Sequence, residues 1–61
     1  MEPKRTILVV DDAPMFREIG SLFLCRYGRV VTAGSGAEAL EAVRREQPDV
    51  VVLDFHLPDI D

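Results

Sequence analysis

Two apolar runs, each closed by acid, constrain this chain more than any other feature. Ile7-Leu8-Val9-Val10 runs into Asp11-Asp12, and Val50-Val51-Val52-Leu53 runs into Asp54. Neither run alternates apolar with polar residues. Continuous runs of this kind read as strands buried on both faces, the pattern of a parallel sheet covered by helices. Each strand delivers carboxylate at its C-terminal end. If the two lie parallel and adjacent, three acids meet at one small site.

The residues between the runs supply the covering layers. Thr6–Val10 predicts the first strand. Pro14 stands at a first helical position, where its missing N–H costs nothing. Met15, Phe16, Ile19, Leu22 and Phe23 recur at three- and four-residue steps, so residues 14–27 predict a helix with one core face. Gly28 reads as its left-handed cap. Residues 29–33 predict a second strand. Ser35-Gly36-Ala37-Glu38 has the form of a capping box, and Ala39, Leu40 and Val43 carry a second helix to about Glu46. Pro48 stops it. Val50–Leu53 is the third strand, and His56-Leu57-Pro58-Asp59 opens a loop. The order βαβαβ implies a parallel sheet with right-handed crossovers. The two apolar runs predict that the first and third strands are interior ones.

Sixty-one residues allow one small domain or part of one. The net charge of −4, with no continuous basic stripe, argues against nonspecific nucleic-acid binding by this segment. The single cysteine, Cys25, cannot form an internal disulfide and suggests a reducing, cytoplasmic setting. Cys25 is expected to pack, and Tyr27 to pack at the helix end with its hydroxyl in water. No apolar stretch approaches membrane-spanning length.

In open α/β sheets the binding crevice lies at the C-terminal edge of the strands. Asp11, Asp12 and Asp54 would sit there and repel one another unless a cation or proton intervenes. Oxygen-only ligands suit a hard divalent ion. Mg²⁺ fits best, because it keeps several waters and leaves room for a phosphoryl group. A carboxylate beside such an ion can attack phosphorus and become an aspartyl-phosphate. Asp54, alone at its strand end, is the better nucleophile; Asp11 and Asp12 look like a metal-holding pair. Taken singly, each acid has a plainer reading, Asp12 as a helix cap and Asp54 as a strand end. Gly34-Ser35-Gly36-Ala37-Glu38-Ala39 also matches a dinucleotide-binding fingerprint, but that reading leaves Asp11 and Asp12 without a role. A phosphatase with an Asp-x-Asp motif would need an acid at position 56, where His56 stands.

Three stretches together resemble the receiver domain of two-component response regulators. They are residues 7–12, residues 32–40, and residues 48–54 with Leu57-Pro58-Asp59. The resemblance implies an α/β, flavodoxin-like fold with parallel strand order 2-1-3 over residues 1–61. It implies that Asp54 accepts a phosphoryl group from a phosphohistidine on a sensor histidine kinase or a histidine phosphotransfer domain. Asp11 and Asp12 would bind Mg²⁺ alongside Asp54, with the backbone carbonyl of His56 as a further ligand, and the first helix would help dock the kinase. Family members also carry strands 4 and 5 and helices 3 to 5, with a Thr or Ser and a Lys that contact the phosphoryl group. Here Thr6, Thr32 and Lys4 all precede Asp54, so the resemblance is to a truncated receiver with impaired switching. A third strand without a fourth beside it offers an open edge. Self-association through that edge into a six-stranded sheet is the expectation. The alternative reading is an interaction module without phosphotransfer.

Overall fold

Three parallel strands and two helices follow one another as β1 (Arg5–Val10), α1 (Pro14–Leu24), β2 (Gly28–Ala33), α2 (Gly36–Glu46) and β3 (Val50–Leu53). The structure is a computed structural model, and it describes residues 5–53. The sheet order is β2-β1-β3, as the resemblance implies, and both pairings are parallel, as the strand pattern predicts. β1 is the central strand, and Ile7 through Val10 are all buried. Its continuous apolar run is explained by cover on both faces. Val9 faces α1, where a Cβ placed on Gly20 would lie 3.5 Å from the Val9 side chain. Leu8 and Val10 face α2 and form the core with Ala33 and Ala42, flanked by Val31 and Ala39.

β3 lies at the edge that the order 2-1-3 implies, and departs only from the interior place that its apolar run suggests. Val50, Val51, Val52 and Leu53 are 40–47% exposed, and β3 pairs only with β1 among the described residues. It is an edge strand there, not an interior one. An open apolar groove of about 410 Å³ runs between α2 and this side of the sheet, lined by Leu8, Val10, Leu40, Val43, Val51 and Leu53. The start of β3 is nonetheless pinned. Asp49 donates its backbone N–H to the Thr6 carbonyl and accepts the Thr6 N–H on its carboxylate, both at 2.8 Å.

α1 also departs from its predicted face. None of its residues is fully buried, and Met15, Phe16, Leu22 and Phe23 are exposed. The half-buried residues are Arg17, Gly20, Ser21 and Leu24, spaced as one helical stripe. The helix thus approaches the sheet over small and polar residues, with the Ser21 hydroxyl donating to the Arg17 carbonyl at 2.8 Å. The large apolar residues flank that stripe. α1 ends at Leu24, short of Tyr27. Cys25 is exposed, so it does not pack in the core, and Tyr27 is exposed with the Arg26 guanidinium 5.8 Å from its ring centre.

Gly28 is not a left-handed cap. No glycine among the described residues has positive φ, and Gly28 is the buried first residue of β2, paired with Arg5. The left-handed residue is Gln47, with φ 48°, which caps α2 by donating to the Val43 carbonyl at 3.0 Å. Pro48 follows it, and a residue before proline avoids the right-handed helical region. At the other end of α2 the Ser35 hydroxyl accepts the Glu38 N–H at 3.1 Å. The Glu38 carboxylate reaches back to the Gly34 N–H at 3.4 Å, a longer return bond made one residue earlier than in the standard box. Arg29 on β2 pairs with Glu46 at the end of α2, and Arg45 joins them. Hydrogen bonds from Arg29 first and Arg45 second hold the Glu46 carboxyl below its ordinary range.

Candidate functional site

The C-terminal edge of the sheet is level where the sequence turns acidic. Val10 pairs with Ala33 on one side and with Leu53 on the other. Asp11 follows Val10 and keeps the ladder going for one more bond, donating its N–H to the Ala33 carbonyl at 3.0 Å. Its carboxylate then accepts the Ala13 N–H at 3.0 Å, closing a tight turn into α1. Its carbonyl accepts from the Arg17 guanidinium at 2.8 Å. Asp11 is half-buried and fixed at its amide, its carbonyl and its side chain.

Asp12 is exposed. It does not cap α1: the cap position is Ala13, with no side-chain hydrogen bond, and the turn is closed by Asp11. Thus the plainer structural reading of Asp12 fails, and the entry to α1 relies on Pro14 at its first turn. Asp11 and Asp12 offer oxygen donors only, at an edge open to water. That donor chemistry fits a hard, partly hydrated divalent ion. Among the described residues no third acid, histidine or cysteine joins them in a metal-sized cluster. Asp54 and His56, the other two predicted ligands, lie outside the described residues.

Two further residues belong to this edge and were not singled out from sequence. Arg17 reaches from α1 to the Asp11 carbonyl, and Gly34 lies against its guanidinium. Their signal was present but faint: a polar residue six positions after Asp11, at the head of a stripe continued by Gly20 and Ser21.

The strand order separates the rival readings. In the dinucleotide-binding fold the strand before the glycine fingerprint neighbours the next strand in sequence, whereas here β2 and β3 lie on opposite sides of β1. The Gly34–Ala39 segment is accordingly the capped start of α2, with Ser35 and Glu38 both engaged.

Comparison with known proteins agrees with the order. The sequence profile of the response regulator receiver domain matches residues 7–61. The chain is 52% identical over 56 residues to the probable transcriptional regulatory protein TcrX of Mycobacterium tuberculosis, covering 90% of this chain and 24% of that protein. It is 44% identical over 62 residues to the probable transcriptional regulator ycf27 of Guillardia theta, covering 100% of this chain and 24% of that protein. A protein-glutamate methylesterase/protein-glutamine glutaminase of Syntrophomonas wolfei is also 44% identical, with 97% of this chain and 18% of that protein covered. The chain therefore spans about a quarter or less of the curated relatives named here. Among solved structures, the N-terminal domain of a response regulator receiver protein from Methanoculleus marisnigri superposes with a TM-score of 0.87 at 45% identity, over 93% of this chain and 47% of that one.

Proposed function

Because the chain belongs to the response regulator receiver domain family, we propose that it is the phosphoacceptor part of such a regulator, with Asp54 as the acceptor. One observation carries the reading. The last residues of two adjacent parallel strands, Val10 and Leu53, are register partners, and each is followed in sequence by aspartate. The donor is a phosphohistidine on a sensor histidine kinase or a histidine phosphotransfer domain. A carboxylate oxygen of Asp54 attacks phosphorus. The new O–P bond forms as the P–N bond breaks, and its electron pair stays on the leaving imidazole.

Asp11, Asp12, Asp54 and the His56 carbonyl would hold Mg²⁺, whose chemistry is to neutralise charge on the transferring phosphoryl group. Asp11, tied down at three points, gives that site a fixed wall. Asp12 supplies a second, water-facing carboxylate. The chain keeps the phosphoryl group it accepts, so it acts once per donor and is not itself an enzyme. We place the reaction in the cytoplasm, where kinase donors work; no helix among the described residues is long and apolar enough to cross a membrane.

Incubation with acetyl phosphate and Mg²⁺ should add one phosphoryl mass to the intact chain. Chelating the metal, or the change Asp12→Asn, should slow the labelling about tenfold or more, the scale on which metal-site contacts act. Labelling that is indifferent to both removes the metal from the account.

The side of β3 left open among the described residues supports self-association as well. Four consecutive apolar residues at a sheet edge are a template for another strand. A two-fold copy pairing β3 with β3 gives a six-stranded sheet. Sedimentation at micromolar concentration is expected to show dimer; a single, cooperatively folded monomer species contradicts this.

A further inference from the structure

We infer that Arg17 is a positioning residue for the acidic site, acting through a guanidinium seat that a Cβ at position 34 would disturb. The inference rests on the magnesium reading proposed above and adds residues to it. Arg17 donates to the Asp11 carbonyl at 2.8 Å. That carbonyl belongs to the peptide joining Asp11 to Asp12. Its orientation sets the direction in which Asp12 leaves the strand. The same peptide chain is held from the other side by the Asp11 N–H on Ala33. Arg17 thus ties α1 to the junction between the two acids.

Gly34 completes the device. A Cβ at position 34 would stand 2.6 Å from the Arg17 Nη1 and 3.4 Å from its Cζ. Gly34 has no positive φ, so its backbone does not demand glycine. The present seat of the guanidinium favours it, since a Cβ would oblige the tip of Arg17 to shift. The remaining neighbour, a Glu38 carboxylate oxygen, would lie at 3.5 Å, an ordinary contact. A methyl group at position 34 therefore fits once Arg17 is gone.

Two physical effects of removing Arg17 have opposite signs. Loss of a nearby cation strengthens Mg²⁺ binding to two carboxylates. Loss of the tether loosens the Asp11–Asp12 peptide and weakens it. The tether governs here, because a charge-assisted hydrogen bond to one fixed carbonyl is directional while the positive charge is partly screened by solvent.

The test is Mg²⁺ binding to the folded chain, followed by the amide NMR shifts of Asp12 and Ala13. Arg17→Ala should raise the Mg²⁺ half-saturation about tenfold, and Arg17→Lys, which keeps charge and donor, should recover most of it. Gly34→Ala should weaken binding in the native background and change nothing further in the Arg17→Ala background. A residue that serves stability alone would lower Tm without moving the half-saturation of the molecules still folded. Unchanged or tighter binding in Arg17→Ala, or additive losses in the double variant, overturns the inference and leaves the proposed function standing. A native chain that shows no Mg²⁺ response overturns the proposed function and this inference with it.

Discussion

Replacing Gly28 with alanine is expected to destabilise the chain by about 2–3 kcal/mol, the upper range for forcing atoms into a packed interior. The reason is distance. A Cβ on Gly28 would lie 2.2 Å from the Arg5 carbonyl oxygen and 3.0 Å from its carbonyl carbon. Both are backbone atoms of the neighbouring strand, in register with Gly28, so no rotamer change can relieve the clash. The start of β2 must part from the start of β1. The same end of β1 holds β3 through Asp49 on Thr6. A stability of roughly 0.05–0.15 kcal/mol per residue leaves a chain of 61 residues little reserve against such a loss. Thermal denaturation followed by circular dichroism should show Tm lowered by about 10 °C or more. Gly20→Ala is the control. Its Cβ would meet only the Val9 side chain, at 3.5 Å, and alanine is the better helix former by up to about 1 kcal/mol. Gly20→Ala should hold or raise Tm. A Gly28→Ala melt matching the native one would show that the strands can separate there without cost.

The second large effect is chemical. Asp54→Asn should abolish phosphoryl labelling by acetyl phosphate or by a phosphohistidine donor, because a carboxamide offers no anionic oxygen to attack phosphorus. Asp11→Asn and Asp12→Asn should slow labelling without abolishing it, since they leave the nucleophile in place and weaken only the metal. The division of labour follows from the sequence and the register together. Asp54 ends its run alone, whereas Asp11 is committed at its amide, carbonyl and carboxylate to the β1–α1 turn. Full labelling of Asp54→Asn would move the acceptor elsewhere.

The sheet was legible because its signals are local and redundant. Ile7–Val10 is apolar at every position, and only a strand covered on both faces has a use for that. Ser35 and Glu38 announced α2 three residues apart, and the structure uses both. The faces of the elements were harder to read. Periodicity put Met15, Phe16, Leu22 and Phe23 against the core, yet α1 meets the sheet over Arg17, Gly20 and Ser21. A hydrophobic pattern cannot distinguish residues that face the described sheet from residues that flank the contact. It also cannot see glycines chosen for space. Gly28 looked like a helix cap because it follows a helix, but its constraint comes from Arg5, a residue distant in sequence. Gly34 is a milder case, because a Cβ there would come closest to the movable tip of the Arg17 side chain. As for the candidate site, Asp11 and Asp12 were visible as the acids that follow β1, while Asp54 lies outside the described residues. The tether that orders them was not, because Arg17 acts on a carbonyl and carbonyls leave no mark in a sequence.

The central claim is that residue 54 receives the phosphoryl group beside Asp11 and Asp12. An acyl phosphate can be trapped by borohydride, which reduces it to an alcohol and leaves free carboxylates untouched. The chain should be labelled with acetyl phosphate and Mg²⁺, reduced, digested and sequenced by tandem mass spectrometry. The account predicts a reduced aspartate, the side chain of homoserine, at position 54 and nowhere else. Reduction at Asp11 or Asp12, or a stable phosphoryl group on His56 with position 54 unmodified, would contradict it.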